Sequence, residues 1–386
     1  MKILICTTHP VFTGTGGAEH VFWNMANHFN RAGHEVVCLG LEKGTDPSRA
    51  SFYMHDPVIK VLNPARFYKK SIVVTFLADL HLISSENRRT IRDSKESLRI
   101  GHLIETSLNC FVPDLVISHS IDMTYILKKG TNIRAPIVTL LHCDIETLLK
   151  GKQRYFKELS ESIRIVVLQK SYIKELKKFV PVSQAIYIPN EVPITNTFCN
   201  TDAKIIIMTG RICPQKNQLQ AIKAFSIFSS KNPDWKMVII GDQKYNPAYF
   251  EQCVNECIVS NLNGKIQFEG VKKDVMKELL NGSIFLFPSI FEGFPLSLTE
   301  AMEQGLSCIC LKDCPGVNEI IEDNLTGFLV ENNPEAIASK LNDLSNNREL
   351  RIKLGKSAKE KMKEFSSDKI WSKWDKLIAD VTDELD

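Results

Sequence analysis

Two carboxylates and two cations supply the first chemistry to be read in this 386-residue chain. Glu292 and Glu300 lie in the run Phe291-Glu292-Gly293-Phe294-Pro295-Leu296-Ser297-Leu298-Thr299-Glu300-Ala301, directly after the apolar stretch 284–288. That stretch reads as a strand, Gly-Phe-Pro as a turn, and the residues beyond as a helix. Glu292 then stands before the helix and Glu300 inside it, so the two do not share a helix face. Between them, around Gly293, Phe294, Pro295 and Leu296, lies a helix N-terminus whose backbone N–H groups are a natural receiver of phosphate. A carboxylate inside such a helix can accept hydrogen bonds from a ribose diol, as acidic residues do in other nucleotide sites. The layout is that of a nucleotide-diphosphate pocket.

The cations come from Gly210-Arg211-Ile212-Cys213-Pro214-Gln215-Lys216-Asn217, another junction from strand to helix. Ligands of parallel sheets gather at the carboxyl ends of the strands, which aims Arg211 and Lys216 at the ligand. Arginine offers a planar fork to phosphate oxygens and lysine a mobile point charge. A leaving diphosphate gains negative charge as its bond breaks, and fixed cations beside it lower that barrier. Spacing alone leaves a pair of solvated surface cations as the alternative.

Three further strand ends carry polar groups. Thr13-Gly14-Thr15-Gly16-Gly17-Ala18-Glu19 is a glycine turn entering a helix, with Glu19 where a dinucleotide fingerprint needs its third glycine. Glu19 is expected to stabilise its own helix start. His119 and His142 each close an apolar run, at positions suited to a ligand or to a structural histidine. Asp242 follows an apolar run and is expected to cap a turn.

These residues need a scaffold, and the chain alternates strands with helices throughout, the pattern of α/β domains with parallel sheets. Strands are expected over 2–7, 35–40, 58–62, 114–118, 137–141 and 163–168, with a connector from Tyr187 to Thr201. The pattern restarts at 204–209 and continues through 235–241, 265–269, 284–288, 307–311 and 328–330. The tail is helical over 334–344, 349–364 and 369–385, the last with Ile370, Trp371, Trp374 and Leu377 on one face. Two Rossmann-like domains facing across a cleft follow, 1–190 and 191–366, with a C-terminal helix over 367–386.

Composition excludes more than it assigns. With 44% hydrophobic and 24% charged residues the chain can bury substantial cores. A net charge of +3 gives no reason to expect nucleic acid. No run reaches the roughly 18 apolar residues of a spanning helix, which points to a cytoplasmic protein. Eleven cysteines without zinc-finger spacing read as reduced thiols, and no metal site is expected. The segment 60–99 carries nine Lys or Arg against four Asp or Glu. With Phe67, Tyr68 and the run 72–77 it is either a solvated face or a contact with the anionic cytoplasmic face of the inner membrane.

The run from Glu292 to Glu300, two glutamates separated by seven residues, resembles the motif of retaining, nucleotide-sugar-dependent glycosyltransferases of family four. The likeness extends through Asp313-Cys314-Pro315-Gly316-Val317-Asn318-Glu319-Ile320-Ile321 and Asn324-Leu325-Thr326-Gly327-Phe328-Leu329-Val330, with weaker matches in the first half. The resemblance implies an α/β GT-B fold, with the helix 367–386 crossing back to the first domain. It also implies transfer of a hexosyl unit from a nucleotide-diphosphate sugar, with UDP-glucose, UDP-galactose or UDP-N-acetylglucosamine as expected donors. It implies a lipid-linked glycan acceptor in O-antigen, capsule or lipopolysaccharide synthesis. Arg211 and Lys216 would hold the diphosphate, Glu300 the ribose, Glu292 the donor sugar, and the backbone at Val271 the base. His142 would contact the sugar near its 6-hydroxyl, with Asp144 in support, and Gly16 and Gly17 would face donor phosphate and acceptor. No cofactor is expected beyond the sugar nucleotide as co-substrate, and the lack of an Asp-x-Asp pair on a strand-end loop implies metal independence. A sugar-nucleotide epimerase, a phosphorylase or a non-catalytic nucleotide-sugar-binding subunit would keep the same nucleotide site.

Overall fold

Strands that are apolar along their whole length, rather than at every second residue, fill the centres of two parallel sheets. In the computed structural model, which describes residues 1–14, 16–46, 53, 55–66, 85–142, 145, 148 and 152–384, the chain divides into two compact units. The first comprises Met1–Ile188 with Ile378–Asp386, and the second Pro189–Leu377.

The first unit holds β1 (Lys2–Thr7), β2 (Glu35–Gly40), β3 (Lys60–Leu62), β4 (Leu115–Ser118), β5 (Ile137–Leu141), β6 (Arg164–Val167) and β7 (Ala185–Tyr187). Their order is β3-β2-β1-β4-β5-β6-β7, and every pairing is parallel. The inner strands β4 and β5 are buried at every residue, whereas the edge strands β3 and β7 contain no fully buried residue. That contrast is what helices covering both faces produce in the centre and solvent produces at the rims. Two clusters lie side by side along one face of the sheet, Leu4, Cys6, Val37, Ile104 and Val116 in one, Leu141, Ile145, Ile165 and Val167 in the other.

The second unit repeats the plan with β8 (Ile205–Thr209), β9 (Lys236–Ile240), β10 (Ile266–Gly270), β11 (Ile284–Phe287), β12 (Ser307–Leu311) and β13 (Phe328–Val330), in the order β10-β9-β8-β11-β12-β13. Both sheets reverse direction of growth once, between β1 and β4 and between β8 and β11. Such switch points are where open α/β sheets bind their ligands, outside the carboxyl ends of the strands.

Most expected strands fall within a residue or two of their observed ends. The expected strand 58–62 shortens to Lys60–Leu62, leaving Val58 exposed. Tyr187, expected in a connector, instead ends the edge strand β7 opposite Val167, because three residues are too few to show a period. The final helix, Ser367–Asp383, buries Ile370, Trp374 and Leu377, while Trp371 Nε1 donates to Glu191 Oε2 at 2.8 Å. The expected contact residues Phe67 and Tyr68 and the run 72–77 lie outside the described residues. Among those described, no helix is long and apolar enough to cross a membrane.

Two buried charges tie the second unit together. Glu303 is fully buried, and its Oε1 accepts from Lys359 Nζ at 2.6 Å and from Thr195 N at 2.7 Å. Arg351 donates to Thr201 O at 2.9 Å and to Ser345 O at 3.1 Å, at the C-terminus of the helix Pro334–Ser345. A cation there meets the negative end of the helix dipole.

The ends of β8 and β9 approach so closely that only glycine fits. A Cβ on Gly241 would stand 1.9 Å from the Gly210 carbonyl oxygen. Gly241→Ala must therefore push the 210–216 loop away, an overpacking cost of about 1–3 kcal/mol. A thermal melt should show a midpoint lower by several degrees, and a midpoint equal to wild type would contradict the packing described.

Candidate active site

The switch point of the second unit gathers the residues named from sequence. Thr209 ends β8, and the chain then turns through Gly210 and Arg211 into the 3-10 turn Pro214–Lys216. Asn217 takes the left-handed conformation (φ 57°) and starts the helix Gln218–Ser229. Gln218, fully buried, holds this turn from inside: its Nε2 donates to Arg211 O at 2.9 Å and its Oε1 accepts from Cys213 N at 3.3 Å. Gln215 links it to the neighbouring loop, donating through Nε2 to Phe291 O at 2.8 Å and accepting from Ile290 N at 2.9 Å. Glu292 N in turn donates to Pro315 O at 3.0 Å. The loops after β8, β11 and β12 are thus one hydrogen-bonded assembly.

At its centre Lys216 Nζ meets Glu292 Oε1 at 2.6 Å, both side chains only 11% accessible. The ammonium also lies 5.2 Å from the centre of the Phe287 ring, a cation–π contact, and its methylenes run along Gly210, where a Cβ would sit 3.2–3.4 Å from them. Arg211 is placed differently. It is exposed, with its guanidinium 4.6 Å from the centre of the Tyr245 ring. The two expected phosphate cations are therefore unequal, one paired and largely desolvated, the other stacked on an exposed aromatic.

Glu292 stands before the helix Leu296–Glu303 and Glu300 within it, as expected. Pro295 is the N-cap, and helix geometry leaves the first N–H groups, those of Leu296 and Ser297, without intrahelical acceptors. Phe294 is buried against Phe365 with ring centres 5.4 Å apart, which anchors the turn. Burial pushes the Glu300 carboxyl up to about 7, so near neutrality it exchanges between acceptor-only and donor-bearing forms. Val271 is exposed just beyond β10, after Gly270 in a left-handed turn (φ 68°). Asp242 caps its turn as expected, accepting from Lys244 N at 2.8 Å.

Two hydroxyls here were not signalled by the sequence. Thr209 Oγ1 and Ser289 Oγ are buried with no hydrogen-bonding partner among the described residues. Thr209 is the last residue of β8, and Ser289 follows two residues after the end of the neighbouring β11. Isolated Ser and Thr are too common for sequence to single them out.

The first unit gathers histidines at its own strand ends. His142 Nε2 and His119 Nδ1 are 2.9 Å apart, and the His9 ring stands edge-on to His142 with centres 6.2 Å apart. His9 follows β1 as the others follow β4 and β5, so the strand-end rule that found His119 and His142 also reaches it. His119 is 1% exposed, and its Nε2 lies 3.4 Å from Met25 Sδ. Desolvation first, and neighbouring imidazoles second, push His142 down to about 3 and His119 well below its ordinary value. At neutral pH the pair is uncharged. Gly16 is the N-cap of the helix Gly17–Arg31, and its carbonyl accepts from Tyr53 OH at 3.1 Å. A Cβ on Gly16 would stand 2.5 Å from Glu19 Oε2, so Glu19 folds back over its own helix start. Thr15 and Asp144 lie outside the described residues. Among those described, no group of three or more His, Cys, Asp or Glu could hold a metal ion.

Known proteins resemble this chain in sequence and in fold. Residues 195–361 match the glycosyl transferases group 1 family. An uncharacterized glycosyltransferase of Methanocaldococcus jannaschii is 30% identical over 263 residues, covering 66% of this chain and 69% of that protein. A Campylobacter jejuni enzyme, GalNAc-alpha-(1->4)-GalNAc-alpha-(1->3)-diNAcBac-PP-undecaprenol alpha-1,4-N-acetyl-D-galactosaminyltransferase, is 24% identical over 95% of this chain and 96% of its own length. The fold resembles that of a Staphylococcus aureus TarM variant solved with Fondaparinux, alpha-GlcNAc-glycerol and UDP. That likeness has a TM-score of 0.77 at 17% identity and covers 98% of this chain and 99% of the other. The motif residues, the two Rossmann-type sheets and these similarities converge: the chain belongs to the glycosyl transferases group 1 family and is a glycosyltransferase of the GT-B fold.

Proposed function

We infer that this glycosyltransferase moves a hexosyl unit, with retention, from a UDP-sugar to a lipid-linked glycan in bacterial surface-polysaccharide synthesis, at the cytoplasmic membrane face and without a metal ion. The observation that carries this reading is the Lys216–Glu292 pair at the switch point of the second unit, with Glu300 on the adjoining helix. The Campylobacter relative, named for an undecaprenol-diphosphate acceptor, supports the acceptor class. The UDP in the TarM complex supports the base. UDP-glucose, UDP-galactose and UDP-N-acetylglucosamine are the donors to be tested.

The roles follow from the charges. Arg211 and Lys216 take up the negative charge that collects on the diphosphate as the glycosidic bond breaks, helped by the N–H groups that open the helix at Leu296. Glu300 accepts from the ribose diol, and Glu292 from hydroxyls of the donor sugar. The acceptor oxygen bonds to the anomeric carbon on the face the diphosphate leaves, and a departing phosphate oxygen takes the acceptor's proton. No side chain need act as base. His142, neutral at working pH, offers a sugar hydroxyl a hydrogen bond without adding charge.

Transfer is tested by incubating the purified protein with each UDP-sugar and a lipid-diphosphate glycan and measuring acceptor-dependent UDP release. Lys216→Ala and Glu300→Ala should each lower the rate by about 10²–10³-fold, the loss seen when one charge-stabilising group is removed. Full activity in either folded variant contradicts the roles given, and UDP release that ignores the acceptor favours a different reaction.

Glu300 adds a pH dependence whose sign is fixed. Its carboxyl is raised from 4.5 to about 7, so the folded protein binds the extra proton that the unfolded chain has released between those values. Its contribution to stability is fully present below about 4.5 and is lost as pH rises through about 7. Melting curves should show wild type losing stability relative to Glu300→Gln across that window. UDP binding, which needs the carboxylate as acceptor, should weaken in wild type as pH falls through 7, more steeply than in the glutamine variant.

A further inference from the structure

Arg211 has a fixed backbone and an exposed side chain. Gln218 Nε2 donates to its carbonyl at 2.9 Å. On either side Gly210 N donates to Ile240 O at 2.9 Å and Ile212 N to Asp242 O at 3.1 Å. Beyond Cβ, the contact that holds it is the Tyr245 ring, whose centre lies 4.6 Å from the guanidinium carbon. The chain around Tyr245 is fixed as well. Lys244 N donates to Asp242 Oδ1 at 2.8 Å, and Asn246 caps the helix Pro247–Val259, its Oδ1 accepting from Tyr249 N at 3.1 Å. Tyr249 OH accepts from Leu219 N at 3.1 Å, which ties this helix to Gln218–Ser229. Backbone groups and other side chains thus build the frame, while Tyr245 is 53% exposed.

We propose that Tyr245 is a positioning residue that orders the Arg211 guanidinium for a diphosphate before the ligand arrives. This rests on the donor-site reading above. An arginine side chain has large rotamer freedom, and a ligand that must freeze it binds more weakly by that cost. A guanidinium over an aromatic face is held by the ring's quadrupole, which restricts the side chain beforehand. The apparent affinity of a ligand falls with the fraction of protein whose binding group is in place, so the ring raises that fraction. Because the ring is neutral, it orders the cation without setting an anion beside the phosphates. The hold depends on the ring and not on its hydroxyl. Tyr245 therefore acts through Arg211, and its effect should vanish when the arginine does.

Titration calorimetry with UDP and GDP as probes, and a melting curve for each protein, tests this. Tyr245→Ala should weaken diphosphate binding about two- to fivefold, the strength of an exposed cation–π contact, and should melt with wild type. Tyr245→Phe, which keeps the ring, should restore wild-type binding. Tyr245→Leu, apolar but without the ring electrons, should lose as much as alanine, and serves if the alanine variant melts low. Arg211→Ala should cost about 10–100-fold, and in that background Tyr245→Ala should change nothing further. This last result separates positioning from contact: a ring that touched the nucleotide, or merely shaped the loop, would keep its effect without the arginine. If Arg211→Ala weakens binding but loss of the ring does not, or does so equally in both backgrounds, the positioning role is overturned while the donor site stands. If the folded wild type binds neither probe, or Arg211→Ala binds as wild type does, the donor-site reading falls and the positioning role with it.

Discussion

A lysine and a glutamate, both largely removed from water and 2.6 Å apart, form the constraint around which the second unit is organised. Desolvating two charges costs about as much as their attraction returns, so such a pair adds little net stability. Losing either partner is far more costly, because the other is left uncompensated. The surrounding structure keeps the two in register. Gly241 lets the ends of β8 and β9 meet, Gln218 fixes the turn that presents Lys216, and Gln215 binds that turn to the loop bearing Glu292. Glu303 and Arg351, deeper in the unit, hold the helices behind the loops.

The first unit repeats the topology and carries the opposite electrostatics. Its switch point presents neutral imidazoles, two of them 2.9 Å apart, where the second unit presents an ion pair. Burial beside one another disfavours any charge on His119 and His142. A set of rings that stays neutral suits hydroxyl groups, which donate and accept, better than phosphate. The same topology thus carries two different sets of groups at its strand ends.

The scaffold was largely legible in the sequence, and the reason lies in burial. Central strands such as 137–141 and 307–311 are apolar at nearly every residue, because helices cover both faces. The edges were harder to read: β7 has three half-buried residues and no usable period. In the candidate site, the turn between strand and helix was readable from Gly-Phe-Pro, and Glu292 stands before the helix and Glu300 within it as expected. The direct contact between Lys216 and Glu292 was not readable, since they are 76 residues apart and meet only because β8 and β11 are neighbours. Nor was the divergence of Arg211 from Lys216, which depends on Tyr245 in a separate loop. Gln215 and Gln218 escaped notice because a glutamine acquires its role only from the backbone groups it reaches.

The partners found in the structure give the proposed donor site a property that its parts lack. Glu300 exchanges its proton near neutrality, Lys216 is held by Glu292, and Arg211 is stacked on Tyr245. Each group that a sugar nucleotide would engage is thus already occupied by a proton, a counter-ion or an aromatic face. In the proposed reading, the ribose diol would replace the proton at Glu300, the diphosphate would take up the cations and the sugar hydroxyls would reach Glu292. Binding by exchange of partners would then depend on compensation as well as on shape, because an unpaired buried charge costs more than a missing contact.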